Sequence, residues 1–244
     1  MLSKTLGMIE GRPVGEHPLV TRLLKGCYNI NPPRPKYNIM WDPDQVLNYF
    51  VSLGENRILS LAQLARKMVT LVALATLMRV SEIASIGYES VVFSESSAKF
   101  SIIAPRKAQH SEPLQSFSIS MCPNKMLCPV LVVQDYVERT QKFRSATNSE
   151  RLVIAVIAPH KPVTPNSVSR WIKTSLRCAG VDTDTFGAHY TRSAAASKAT
   201  AGGLSVDAIL RAGNWSREST FNRFYNRAKG SSVDSVVFGQ QIQN

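Results

Sequence analysis

Apolar positions recur every three to four residues over much of the chain, and the phase of that recurrence marks out helices. Asp42-Pro43 offers an N-cap acceptor followed by proline at the first helical position, where its missing N–H costs nothing. The segment DPDQVLNYFVSL therefore reads as a helix stopped by Gly54. From about Ser60 a longer helix follows, with Leu61, Leu64, Ala65, Met68, Leu71, Val72 and Ala75 at helical spacing. Apolar residues fill its other sides too, which predicts a central, mostly buried element. It runs out at Leu77 and Met78, and a short helical turn, RVSEIASI, carries Arg79 and Glu82.

Between Val91 and Ile119 the period shifts towards two. Val91 to Phe93, Phe100 to Ile103 and Leu114 to Ile119 read as three short strands, with the polar turn RKAQHSEP between the last two. Helices resume at Pro129 to Phe143, and Leu152 to Ala158 is a short apolar strand or connector. Thr164-Pro165 opens a helix that runs to Cys178 and stops at Gly180. The last third predicts helices at about 188 to 201, 205 to 212 and 216 to 228. The pattern as a whole is α+β and mainly helical, with a small antiparallel sheet. Residues 1–38 read as a lead-in or linker with a short helix around Leu19 to Lys25 and a proline-rich stretch, NPPRPKY. Organised structure is expected over 39–229, followed by a tail at 230–244 whose apolar cluster is Val236, Val237 and Phe238.

Composition changes this picture in one respect. With 44% hydrophobic and 19% charged residues the chain is ordinary for a globular protein, but its formal net charge is +12. Such a surplus concentrates polyanions and suits a nucleic acid. From Lys161 to Lys229 eleven Lys or Arg face four Asp or Glu, so the positive charge gathers in the last third. Cys27, Cys122, Cys128 and Cys178 form no CxxC pair, and with four histidines a Cys/His metal cluster is hard to assemble. Reduced, partly buried thiols are expected, although Cys122 and Cys128 could be neighbours. The start, MLSKTLGMIEGRP, has no apolar core of a secretory signal, and the longest apolar run, Met68 to Met78, is too short to span a bilayer. A soluble protein with no membrane partner is expected.

Breaking a phosphodiester without a metal requires cationic forks around the phosphorus, an in-line nucleophile and an acid for the leaving oxygen. Arginine suits the first task, because its planar guanidinium grips two oxygens at once. In GAHYTRSAAA, His189 and Arg192 stand three residues apart on one helix face. Arg79 and Glu82 repeat that spacing after a very apolar stretch, where the carboxylate could hold the guanidinium in place. Phe221 and Tyr225 lie at i, i+4 in NWSRESTFNRFYNR, and Trp215 has an indole N–H that could reach a phosphate oxygen. Each feature has a plainer reading on its own: an ion pair within a helix, a packing tyrosine, a core tryptophan.

Taken in order, Arg-x-x-Glu after a buried helix, a lysine in a β-turn, HxxR, then Trp and Tyr near the C-terminus resemble the tyrosine recombinase (phage integrase) family. The stretch GAHYTRSAAASKATAGGLSVDAILRAGNWSRESTFNRFYNR is similar to the catalytic ends of Crypton-like and DIRS-like mobile-element recombinases. The resemblance covers about residues 31 to 229 and implies that family's catalytic-domain fold. It implies Arg79 as the first catalytic arginine, with Glu82 supporting it. His189 and Arg192 match the HxxR pair, Trp215 the family's His or Trp position, and Tyr225 the nucleophile. Lys107 matches the hairpin lysine that protonates the departing 5′ oxygen, with Arg106 beside it as the alternative. Two departures stand out: the interval from Trp215 to Tyr225 is one residue longer than in typical bacterial members, and Met78 replaces a glycine common before the first arginine. The first leaves open whether the side chain at 214 or 215 faces the phosphate.

The implied chemistry is transesterification through a 3′-phosphotyrosyl intermediate, with no cofactor and no metal. The implied partners are double-stranded DNA and further copies of the chain, two per site and four on a synapse, with the tail either docking onto a neighbour or forming a disordered end. The residues before the catalytic part are too few for the family's N-terminal DNA-clamping domain. A nuclear protein is implied if the chain comes from a eukaryotic mobile element, and a cytoplasmic one otherwise. Two other readings share much of this evidence: a catalytically silent DNA-binding descendant of a recombinase, and a type IB topoisomerase.

Overall fold

A computed structural model of the chain describes residues 7–32, 40–105, 114–145, 148–215 and 218. The chain divides into two compact units, within Met1–Asn38 and Ile39–Asn244. In the first, strands β1 (Met8–Ile9) and β2 (Arg12–Pro13) pair antiparallel and lead into helix α1 (Pro18–Ile30). His17 caps α1, its ring nitrogen accepting from the Leu19 N–H at 3.3 Å. The helix runs past the predicted Leu19 to Lys25 at its C-terminal end, and none of its side chains is buried.

The second unit holds α2 (Pro43–Ser52), α3 (Leu61–Thr76), α4 (Val80–Ile83), α5 (Pro129–Gln141), α6 (Pro165–Cys178), α7 (Tyr190–Ala201) and α8 (Val206–Gly213). The predicted starts follow the capping chemistry. Asp42 accepts from Asp44 N–H at 2.9 Å, and Ser60 and Gln63 close a reciprocal capping box at the head of α3. Helix α3 is the axis of the unit, in contact with α5, α6 and α7. Leu64, Ala65, Met68, Val69 and Val72 on it are fully buried. So is Lys67, which a helical period alone does not place in a core. Burial pushes its amine below the usual lysine value, and the nearby Asp135 carboxylate partly offsets this.

Strands β3 (Val92–Phe93), β4 (Ser97–Ser101) and β5 (Ser116–Ser120) form an antiparallel sheet in that order, with Lys99 opposite Ser118. Ala98, Phe100, Phe117 and Ile119 face the core, and serines line the other side with Lys99. The middle strand starts earlier than Phe100 because serines alternate with Ala98 and Phe100 at the strand period, and it gives way to a single bridge between Ile86 and Ile102. Leu152 to Ala158 is a connector. Isolated bridges pin it at Arg151 and Ile154, and Arg144 donates to the Arg151 and Leu152 carbonyls at 2.6 Å each. Tyr136 exchanges hydrogen bonds with the Ile154 backbone, and burial pushes its phenol up to about 12. Apart from residue 218, the predicted helix at 216 to 228 lies outside the described residues, as does the tail. No described helix is long and apolar enough to cross a membrane.

Candidate active site

Helix α3 ends abruptly. Leu77 takes the left-handed conformation (φ 55°), which costs a non-glycine residue roughly 1 to 2 kcal/mol and turns the chain away from the helix axis. The strained residue is held by packing: Leu77, Ala196, Ile209 and Trp215 form a small core separate from the main one. Two residues on, Arg79 caps α4. The Glu82 carboxylate accepts from the Arg79 guanidinium at 2.7 Å and from its backbone N–H at 2.8 Å. Glu82 is buried while the Arg79 side chain keeps 37% of its surface exposed, so the carboxylate anchors a cation that still meets solvent. The i, i+3 spacing read from the sequence is realised as a bonded pair.

His189 stands as the N-cap of α7, and Arg192 lies in its first turn. Dehydration, then the positive charges of Arg192 and Arg79, push the His189 imidazole below the usual histidine value. The fold thus brings both arginines within electrostatic reach of the histidine. Arg192 is only 2% exposed. Its Nη2 donates to the Gly213 carbonyl at 2.7 Å, and its guanidinium carbon sits 4.7 Å from the centre of the Trp215 ring. Trp215 is buried, whereas Asn214 is exposed in a left-handed C-cap (φ 49°). Of the two side chains the sequence left open, that of Trp215 is the one turned towards Arg192.

Arg79, Glu82, His189, Arg192 and Trp215 are therefore gathered in one region by α4, the start of α7 and the end of α8. Lys107, Arg106 and Tyr225 lie outside the described residues; β4 and β5 precede and follow the first two in the sequence. Two residues escaped the sequence reading. Leu77 had no signal in the sequence pattern. Gly213 had one: a glycine beside Asn and Trp at a helix end marks a close backbone approach. Chemically the region offers one half-exposed guanidinium, one buried guanidinium and an imidazole biased towards neutrality, a set suited to an anion with equatorial oxygens. Among the described residues no three His, Cys, Asp or Glu side chains group to hold a metal.

These elements define a helical scaffold that clusters basic side chains about a buried axis. The sequence profile of the Phage integrase family matches residues 50–231, most of the chain. The chain belongs to this family, the tyrosine recombinases. Its fold is that of their catalytic domains. Solved structures with the same fold include the XerH site-specific recombinase bound to difH substrate (TM-score 0.59, 12% identity, 86% of this chain and 56% of that one). XerA recombinase matches with TM-score 0.57 and 14% identity over 89% of this chain and 68% of that one. The Tn1549 transposon integrase in complex with circular intermediate DNA matches with TM-score 0.56 and 12% identity, over 91% and 74%. The chain spans about half the length of the XerH and lambda integrase chains it matches. No curated protein sequence matches it.

Proposed function

We propose that this chain carries the catalytic part of an enzyme that cuts and rejoins DNA, in site-specific recombination or in the integration of a mobile element. The observation that carries the reading is the convergence of Arg79, held by Glu82, with His189 and Arg192 in a chain of this family. Tyr225 Oη attacks the scissile phosphorus, the 3′-phosphotyrosyl bond forms, and the bond to the 5′ oxygen breaks. Lys107 gives its proton to that leaving oxygen, and His189 takes up and returns the tyrosine proton. Arg79 and Arg192 hold the non-bridging oxygens, where negative charge grows in the transition state. Attack by a 5′-hydroxyl of another strand reverses the step. Because the phosphotyrosyl bond conserves the energy of the bond broken, the sequence needs neither nucleotide nor metal.

The partner is duplex DNA, and the +12 net charge supports it. The active assembly is a pair of protomers per site and four on a synapse, working in the nucleus if the source is a eukaryotic element. The test uses nicked suicide duplexes carrying a randomised core, incubated with the protein and resolved on a denaturing gel. A covalent protein–DNA band that disappears in Tyr225→Phe is expected. Tight reversible binding with no covalent band from any core would leave a silent DNA-binding descendant instead.

A further inference from the structure

Arginine 192 is the most buried cation of the candidate site, and a guanidinium taken from water must be met by acceptors or by an aromatic face. Among the described residues Gly213 and Trp215 do so, and both stand at the end of α8. The last four carbonyls of a helix have no partner within it and carry the negative end of its dipole. Gly213 is the last residue of α8, and its carbonyl points at Arg192 Nη2, 2.7 Å away. Asn214 stops the helix in the left-handed conformation, and the Trp215 N–H bonds back to the Leu210 carbonyl at 3.0 Å. That turn folds the indole over the residue it has just passed. A Cβ added at Gly213 would lie 2.0 Å from Trp215 Cζ3 and 2.2 Å from Cε3, well inside any tolerable contact.

Residue 213 thus meets two demands at once: no side chain, so that the indole can close over it, and a carbonyl aimed at the guanidinium. We infer that Gly213 and Trp215 form a clamp that positions Arg192, with the indole acting on the arginine through its π-face and not on the phosphate through its N–H. Gly213 is then a positioning residue of the reaction. The inference rests on the proposed function, in which Arg192 grips the scissile phosphate. It also links the two arginines, because Trp215 packs in the same small core as Leu77, two residues before Arg79.

The test takes the full chain with Gly213→Ala, Trp215→Phe, Trp215→Ala and the double variant Gly213→Ala/Trp215→Phe. One arm needs no DNA: in a 15N-resolved spectrum the Arg192 side-chain protons should be shifted upfield by the indole ring current, and the shift should vanish in Trp215→Ala. The other arm compares single-turnover cleavage of the captured suicide duplex with its equilibrium affinity. Misplacing a catalytic group by an ångström costs about 100-fold, so Gly213→Ala should lose about that in cleavage rate and less than about threefold in affinity. Trp215→Phe keeps an aromatic face without the N–H and should lose less than about fivefold, against about 100-fold for Trp215→Ala. The smaller ring makes room for a methyl group at 213, so the double variant should regain at least about tenfold over Gly213→Ala. Should Gly213→Ala fail to fold, the two Trp215 variants decide. A Trp215→Phe as damaged as Trp215→Ala, no recovery in the double variant, or an unshifted Arg192 would each overturn the clamp. Absence of any covalent adduct with the unaltered chain would sink the cleavage reading instead, and the spectrum would still decide whether the clamp exists.

Discussion

Replacing Glu82 separates the anchoring of Arg79 from its exposure. The carboxylate accepts two hydrogen bonds from Arg79, one from the guanidinium and one from the backbone N–H that opens α4. Bonds to charged groups are worth about 1.5 to 3 kcal/mol and an orphaned buried donor costs a further 1 to 3 kcal/mol. The Arg79 side chain is 37% exposed, so water recovers part of the first loss. Glu82→Ala should therefore destabilise the fold by about 2 to 3 kcal/mol, and Glu82→Gln, which keeps an acceptor oxygen, by about 1 kcal/mol. At roughly 2 to 4 °C per kcal/mol in a unit of this size, the alanine variant should melt about 5 to 10 °C lower. The decisive assay is a double-mutant cycle in urea with Arg79→Ala. If the pair acts as a unit, the cycle returns a coupling of about 1 to 2 kcal/mol, and Glu82→Gln slows cleavage by about 10-fold while sparing DNA affinity. Effects that add to within about 0.5 kcal/mol would refute the idea that Glu82 holds Arg79.

Lysine 67 and His189 give two further expectations, both with a pH signature. Lys67→Met should stabilise the fold by about 1 to 3 kcal/mol near neutral pH, since it removes a buried amine whose nitrogen has no hydrogen-bond partner among the described residues. Because burial holds the folded amine below the usual value of 10.5, the unfolded chain binds its proton more tightly. The penalty is full below the folded pKa and fades as pH rises towards 10.5, so the gain measured in urea should shrink there; an equal gain at both ends would contradict it. His189 is likewise held below its usual 6.5, so the unaltered chain should lose stability as pH falls through that value towards the folded one. His189→Gln should flatten that slope between pH 7.5 and 5, and an unchanged slope would place the imidazole outside the field of the two arginines.

Much of the scaffold was legible because helices announce themselves twice, by period and by cap. The head of α3 follows from the apolar period that sets in after Ser60, that of α6 from Thr164-Pro165, and the Arg79–Glu82 pair from i, i+3 geometry. What stayed hidden depends on contacts distant in sequence. Lys67 lies on the apolar axis of the fold, near a carboxylate 68 positions along the chain, and no local pattern reports that. The left-handed Leu77 is paid for by packing against α7 and α8, so its cause lies more than 100 residues away. Leu152 to Ala158 carries the apolar run of a strand, yet it is held by Arg144 and Tyr136 side chains, which occupy backbone groups a ladder would have used. Trp215 on its own read as a core residue and, by resemblance, as a phosphate donor; its place over Arg192 emerges only from the turn at Gly213 and Asn214.

The small core of Leu77, Ala196, Ile209 and Trp215 then takes on more weight than its size suggests. It sits apart from the main core, so each of its side chains has few neighbours to absorb a change in volume. Leu77 leads directly into Arg79, Ala196 lies one helical turn beyond Arg192, and Trp215 covers the guanidinium of Arg192. A change in packing here is therefore felt at both arginines at once, whereas a change of the same size around Leu64 or Val72 is shared among α3, α5, α6 and α7. Oxyanion stabilisation depends on donors fixed before charge develops, since donors that must move during the step give up part of their effect. Under the proposed function, the rigidity the chemistry needs is supplied by these four buried side chains and one glycine, and substitutions among them should cost reaction rate out of proportion to what they cost in stability.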